Sequence, residues 1–169
     1  MTYASSFSKT VAPGIRVGYL IGPPELVAEI DRLATGAYIS PNMVAQGIVN
    51  QVARCGAIEQ SIQSVRAALS ERLDVLAAAL ERELPQARFV KPQGGYFMWV
   101  ELPRGTDVAA LLEAARARGV QFVKGSDFVL EGHESSLRLA YSGVSSAQID
   151  EGIGRLAAAY RELGASVAA

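Results

Sequence analysis

The longest regular pattern in this chain is a row of mainly leucine side chains at helical spacing, over residues 57–84. Its apolar members recur at helical spacing: Val65, Leu69, Leu73, Leu76, Leu80 and Leu84. Most charged side chains of the segment fall on other faces, which is typical of an amphipathic helix. Pro85 then ends the pattern, because proline cannot continue a helix. The repeat predicts one long helix, with separate groups of elements before and after it.

Two strands and two helices are predicted before the long helix. Residues 2–8 suit a strand, and Pro13-Gly14 then breaks the chain. Alternating apolar side chains predict the second strand: Ile15, Val17, Tyr19 and Ile21. Arg16 would lie on the opposite face of that strand. Helices are expected at about 24–37 and 41–55, the second with Ser40 as its N-cap.

A small sheet covered by helices is predicted after the long helix. Its strands are expected near residues 88–91, 96–102, 120–124 and 136–141. Its helices are expected near 107–118 and from a capping box at Ser145 and Gln148 to a stop at Gly164. Tyr96 and Trp99 are interpreted as core aromatics.

Composition excludes several classes of protein. The 169 residues are 50% hydrophobic, yet no apolar run is long enough to span a membrane. A net charge of −1 gives no electrostatic footprint for nucleic acid in this portion. Cys55 and His133 are the only cysteine and histidine, which argues against a disulfide or a metal site. Without a secretory signal, the cytoplasm is the expected compartment.

Lys9 is the strongest candidate for a reactive group. It follows the first predicted strand and enters the loop at Pro13-Gly14. Ser6 and Ser8 flank it, and Arg16 follows closely. Hydroxyls beside a guanidinium are donors that suit a phosphate, with Ser8 the weaker hydroxyl candidate. The segment therefore predicts an amine held for covalent chemistry beside a phosphate site.

Arg138 is a second candidate, on a predicted strand. It shares a face with Ala140, whereas Leu137, Leu139 and Tyr141 occupy the other face. A long cation beside a small residue can extend away from the sheet to bind an anion.

Three segments together resemble one enzyme family. They are Ser6-Phe7-Ser8-Lys9 with Pro13-Gly14-x-Arg16-x-Gly18, residues 94–103, and residues 137–142. Their order and spacing resemble class I/II aminotransferases, which are fold-type I enzymes that use pyridoxal 5'-phosphate (PLP). The likeness covers almost the whole chain. It is strongest to aminoadipate and aromatic aminotransferases and to the aminotransferase-like domain of winged-helix regulators.

The resemblance implies a role for each candidate residue. Lys9 would attach PLP covalently and then act as the catalytic base. Ser6, Ser8 and Arg16 would bind the PLP phosphate. Arg138 would bind the substrate α-carboxylate through two parallel hydrogen bonds.

The resemblance also implies an α/β fold and a division of the chain. The chain would be the C-terminal portion of a fold-type I PLP-dependent transferase. Residues 1–56 would be a remnant of the large PLP-binding domain, 57–84 the connecting helix, and 85–169 the small C-terminal domain. Most PLP ring partners would then be missing, so we expect the chain alone to bind PLP weakly or not at all.

The predicted function is amino-group transfer from an amino acid to a 2-oxo acid, in a homodimer. One alternative is the effector-sensing domain of a transcription regulator, and another is a catalytically inactive fragment. Ser6-x-x-Lys9 also fits the serine motif of penicillin-binding proteins and β-lactamases. That motif begins a helix, however, and Pro13-Gly14 together with the lack of a Lys-Thr-Gly segment argues against it.

Overall fold

The computed structural model describes the backbone of residues 1–167 and the side chains of residues 1–164. The chain separates into two compact units, residues 1–65 and residues 66–169. The boundary falls inside a long helix, α3 (Ala57–Glu83). The spacing of the leucines predicts this helix at residues 57–84, one residue longer than observed. The three-part division into 1–56, 57–84 and 85–169 stays a prediction. Among residues 1–167, none of the helices combines the length and apolar character that a membrane crossing needs.

The first unit begins with a two-stranded antiparallel sheet, followed by helices. The strands are β1 (Tyr3–Ser6) and β2 (Gly18–Ile21), and a short 3-10 turn, Pro13–Ile15, lies between them. Two helices precede α3: α1 (Pro24–Tyr38) and α2 (Met43–Arg54). The second strand is shorter than predicted, because Ile15, the first residue of the alternating pattern, lies in the 3-10 turn and Arg16 follows it in a left-handed conformation.

The start of α2 differs from the prediction. Asn42, not Ser40, is its N-cap, and the Asn42 side chain accepts a hydrogen bond from the backbone N–H of Ala45 at 3.0 Å. Asparagine is as good an N-cap as serine, since its side-chain oxygen reaches the same free N–H groups. Pro41 therefore precedes the helix and does not occupy its first position.

The first unit has little hydrophobic core of its own. Helix α1 has no buried residue, and only Ala45 and Val49 are buried in α2. Large apolar side chains of both helices are exposed: Leu26, Val27, Ile30, Leu33, Tyr38, Met43, Val44 and Ile48. Burial within the unit therefore covers little of the apolar surface of these two helices.

The second unit contains a four-stranded antiparallel sheet in the order β3-β4-β6-β5. Its strands are β3 (Arg88–Phe89), β4 (Phe97–Glu101), β5 (Val123–Lys124) and β6 (Ser136–Ala140). Its helices, besides the later part of α3, are α4 (Val108–Arg116) and α5 (Ser146–Val167). One contiguous core joins the sheet to these three helices.

Alternation along the two central strands decides which face of the sheet enters that core. Met98 and Val100 of β4 are fully buried, and so is Leu137 of β6. Their neighbours in the strands lie on the other face, since successive strand residues point to opposite sides. Phe97 on that face is exposed, and Trp99 is half-buried.

Helix α5 begins as predicted and continues further than predicted. The Ser145 N–H donates to the Gln148 side chain at 2.9 Å, and the Gln148 N–H donates to Ser145 Oγ at 3.3 Å, which confirms the capping box. The predicted stop at Gly164 is wrong, because the helix continues to Val167. A glycine ends a helix by adopting a left-handed conformation, as Gly119 does after α4 with φ of 76°, and Gly164 keeps a negative φ.

Removing a core side chain from α3 should destabilise the second unit. Leu80 is fully buried in the core, so Leu80→Ala should lower the free energy of unfolding by about 2–5 kcal/mol. Glu81→Ala is the matched control, because Glu81 is the exposed next residue of the same helix, and it should change stability by less than about 0.5 kcal/mol. Urea denaturation followed by circular dichroism measures both, and equal losses would contradict this packing.

Candidate functional site

Lys9 lies in the loop that joins β1 to β2. The Phe7 N–H donates to the Val17 carbonyl at 2.9 Å, which extends the strand pairing by one step beyond Ser6 and Gly18. The Phe7 carbonyl then accepts from the N–H of Val11 at 2.8 Å and turns the chain back. Lys9 is exposed within this turn. The position of Lys9 at a strand end, entering a tight loop, is therefore confirmed.

Arg16 does not lie on the strand, and this part of the prediction is wrong. It follows the 3-10 turn with φ of 52° and ψ of 37°, a left-handed conformation that is uncommon for residues other than glycine. Its Nη1 donates to Ser8 Oγ and to the Pro13 carbonyl, each at 3.3 Å. The left-handed backbone is compatible with a guanidinium that turns back across the loop toward Ser8.

Ser6 occupies the last regular pair of the strands, opposite Gly18. A Cβ atom on Gly18 would lie 3.0 Å from the Ser5 carbonyl oxygen, so the two backbones approach closely there. Ser6, Ser8, Lys9 and Arg16 thus belong to one short hairpin, in which the Arg16 guanidinium donates to the Ser8 hydroxyl. Two hydroxyls and a guanidinium are donors that fit a phosphate group.

Arg138 belongs to the second unit. It lies on β6, directly opposite Trp99 of β4 and Val123 of β5. Arg138 is half-buried, whereas Leu137 and Leu139 are buried. The prediction that Arg138 faces away from the leucines is confirmed.

Aromatic rings surround the Arg138 guanidinium. Its Cζ lies over the Phe97 ring, 4.0 Å from the centroid, and over the Phe128 ring, 4.2 Å from the centroid. These distances are well within the range of a cation–π interaction. Arg138 Nε is buried and has no hydrogen-bond partner within the described part of the chain.

Trp99 and Tyr96 are not core aromatics, contrary to the prediction. Neither belongs to the buried core. Trp99 shares the outer face of the sheet with Arg138, and Tyr96 is half-buried just before β4. The Trp99 ring contacts Phe128 edge to face at 6.0 Å and the His133 ring at 5.6 Å, between centroids. Strand alternation could have placed Phe97 beside Trp99, but no sequence pattern indicates that Phe128 reaches Arg138 from a separate 3-10 turn (Gly125–Phe128).

Tyr141 connects the end of β6 to the turn that precedes Phe97. It is almost fully buried, its hydroxyl donates to the Gly95 carbonyl at 2.9 Å, and its N–H donates to the Tyr96 carbonyl. Burial raises the pKa of Tyr141, because the charged phenolate would lose hydration. Gly95 itself has φ of 93°, which glycine adopts without strain.

Comparison with known proteins identifies the family. Residues 1–156 match the family model described as aminotransferase class I and II. The chain therefore belongs to the class I and II aminotransferase family, as the three sequence segments predict. It is 35% identical over 163 residues to 2-aminoadipate transaminase of Thermus thermophilus, a match that covers 95% of this chain and 41% of that relative.

The chain is also similar to a solved structure and to a transcription regulator. The crystal structure of LysN, an alpha-aminoadipate aminotransferase from Thermus thermophilus, matches with a TM-score of 0.90 and 33% identity. That protein was complexed with N-(5'-phosphopyridoxyl)-L-leucine, and the match covers 97% of this chain and 42% of that one. HTH-type transcriptional regulator TauR of Rhodobacter capsulatus is 31% identical over 163 residues, covering 95% of this chain and 34% of the regulator. The α/β fold of an aminotransferase part is confirmed, and the chain spans less than half the length of these relatives.

The Tyr141 hydroxyl should contribute a stability that is lost at high pH. Below an unfolded-state pKa of about 10, Tyr141→Phe should cost about 0.5–1.5 kcal/mol through the lost hydrogen bond. Because the folded-state pKa of Tyr141 is raised, the unfolded chain loses this proton first as pH rises. The stability difference between the original chain and the variant should therefore shrink from about pH 8 to about pH 11 in urea unfolding. Tyr38→Phe, at an exposed ring, controls for loss of a hydroxyl; a difference that grew with pH would contradict this account.

Proposed function

We propose that this chain carries the cofactor-attaching lysine of a PLP-dependent amino-acid aminotransferase, which transfers an amino group to a 2-oxo acid. Family membership supports the reaction class. The observation that carries the proposal is the contact between Arg16 and Ser8 in the loop that contains Lys9. It combines a primary amine with donors suited to a phosphate, and PLP needs both.

Each residue of the hairpin has a proposed task. When bound, PLP supplies an electron sink that weakens the bond to the substrate α-hydrogen. Lys9 Nζ is the covalent attachment point and, after the substrate amine displaces it, carries the α proton as a general base. Ser6, Ser8 and Arg16 hold the phosphate, so that the reacting end of the cofactor stays within reach of Lys9.

Arg138 is proposed to bind the α-carboxylate of the amino acid and of the 2-oxo acid. A guanidinium offers two parallel N–H donors to a carboxylate, which an ammonium cannot do. The buried Arg138 Nε without a partner among the described residues supports this role, because a buried donor is expected to find an acceptor. We further propose that the active protein is a homodimer, because the family resemblance implies sites completed across two subunits.

A second candidate function is effector sensing in a transcription regulator. The match to TauR over 95% of this chain favours it. Both functions would use Lys9 and the same phosphate donors, so the distinction depends on the whole polypeptide. A winged-helix segment with specific DNA binding would favour the regulator, and turnover of an amino acid with a 2-oxo acid would favour the enzyme.

Lys9 should react with PLP in preference to the other lysines, Lys91 and Lys124. The hairpin places phosphate donors near Lys9, whereas each of the other two lysines lies beside an aspartate, whose charge would repel the phosphate. Trapping with borohydride followed by peptide mass spectrometry should place the phosphopyridoxyl group mainly on Lys9, even when equilibrium binding to this chain is weak. Arg16→Asn should lower labelling of Lys9 alone, because it removes the cation while asparagine tolerates the left-handed backbone.

Labelling at Lys91 and Lys124 is the internal control, and pyridoxal without phosphate is the matched probe. Pyridoxal should label Lys9 equally well in the original chain and in Arg16→Asn. Equal labelling of the three lysines by PLP would contradict the proposed role of Lys9 as the attachment point. An equal effect of Arg16→Asn on both probes would show that Arg16 does not bind the phosphate.

Arg138→Lys should raise the KM for amino acids in the catalytically complete protein. Loss of charge-assisted hydrogen bonds worth roughly 1.5–3 kcal/mol corresponds to about ten- to hundredfold in apparent affinity. The decarboxylated amine of the same substrate should be almost indifferent, because it has no carboxylate for Arg138. Steady-state kinetics with the two substrates tests this, and equal losses for both would exclude the carboxylate assignment.

A further inference from the structure

Arg138 differs from several arginines of the second unit in what it contacts. Arg82, Arg116, Arg118 and Arg155 each form an ion pair with a carboxylate. None of the ion pairs found among residues 1–164 includes Arg138. Its polar edge includes a buried Nε without a partner in that part of the chain, and its flat surface contacts Phe97 and Phe128. The Arg138 guanidinium therefore contacts two aromatic rings, and no carboxylate among the described side chains is paired with it.

Ring contacts and carboxylate binding use different parts of a guanidinium. The N–H donors point outward in the plane of the group, whereas a ring over Cζ contacts the flat surface. A carboxylate partner in the protein would occupy the same donors as a ligand carboxylate and would compete with it. Aromatic contacts hold the cation by its flat surface and do not themselves occupy those donors.

We infer that Phe97 and Phe128 are positioning residues that orient the Arg138 guanidinium for a ligand carboxylate. The inference rests on the proposed role of Arg138. A long arginine side chain loses rotational freedom when it binds, and that loss weakens binding unless the free protein already restricts it. Two rings at 4.0 and 4.2 Å from Cζ restrict the guanidinium before the ligand arrives.

The sheet provides the place for Phe97. In the pairing of β4 with β6, Phe97 lies opposite Ala140, two residues along the strand from Arg138. Such diagonal neighbours on one face of a sheet are within reach of a long or aromatic side chain. The small Ala140 side chain leaves room there, so the Phe97 ring can meet the guanidinium across the strands.

Phe128 is held by its own neighbours. Its ring contacts Trp99, which lies directly opposite Arg138. The 3-10 turn that carries Phe128 starts at Gly125, where an added Cβ would lie 2.6 Å from the Cβ of Ser136 on β6. The turn therefore packs closely against the strand of Arg138. Phe128 lies close to that strand, although the residue is 45% exposed.

Neither ring belongs to the buried core, so each can be replaced with limited effect on folding. Phe128→Leu keeps an apolar side chain of similar bulk without the aromatic face, and Phe128→Tyr keeps the face. Leu130→Ala is the matched control, because Leu130 is fully exposed two residues further along the same segment. These variants separate the ring interaction from general packing.

The test follows the Arg138 Nε–Hε signal of the full chain in a two-dimensional proton–nitrogen NMR spectrum. The signal is assigned by its loss in Arg138→Lys. Titration with propionate should shift it, whereas propionamide should not. Phe128→Leu should raise the propionate dissociation constant roughly three- to tenfold, the size expected when one more long side chain must be immobilised on binding. Phe128→Tyr and Leu130→Ala should keep the original value.

The outcomes separate this inference from the proposed function. If propionate shifts the signal with the same affinity in the original chain, in Phe128→Leu and in Phe97→Leu, the positioning role is wrong and the carboxylate role of Arg138 stands. If propionate has no effect on the signal in the original chain, the carboxylate role itself fails, and the inference fails with it. A weakened response in Leu130→Ala as well would assign the effect to the fold of the segment and overturn the inference.

Discussion

The pairing of β6 with β4 on one side and β5 on the other determines the chemistry of the second unit. Leu137 and Leu139 enter the core with Met98 and Val100, and this burial fixes the register. A slip of one residue would turn the leucines outward and bury the arginine, at a large cost in free energy. The hydrophobic core therefore positions Arg138 on the opposite face, although Arg138 takes no part in it.

The loop of the first unit is held by hydrogen bonds and not by a hydrophobic core. Here the candidate residues Ser8, Lys9 and Arg16 lie on a loop, where Lys9 and Arg16 are exposed. Backbone hydrogen bonds from Val11 and Ile15 close the loop, and Arg16 adopts a left-handed conformation within it. Such conformations are often found at functional sites, where the surroundings compensate for a small local strain. The contact from Arg16 to Ser8 and Pro13 is part of that compensation.

The two candidate anion-binding arginines are held in place by different means. Arg16 donates to a hydroxyl and a carbonyl, which orient it without neutralising it, and Arg138 is held by aromatic rings. Neither is ion-paired with a carboxylate among the described side chains. Both keep a positive charge that a phosphate or a carboxylate can use. In a chain with a net charge of −1, this arrangement places positive potential at particular points and not across a surface.

Periodic burial and the capping box of α5 were determined by the sequence alone, whereas the N-cap of α2 and the end of α5 were not. Three features follow from the spacing of residues close in the chain, so their patterns are visible without a structure. They are the leucine spacing of α3, the alternation around Arg138 and the capping box at Ser145. The three family segments likewise predicted the class of protein. Two departures from the predictions are local: Arg16 leaves the strand because it follows a 3-10 turn, and Trp99 faces away from the core because it alternates with Met98 and Val100. The tertiary structure alone decided that Phe128 contacts Arg138, because that contact depends on how distant segments approach one another, which no local pattern in the chain records.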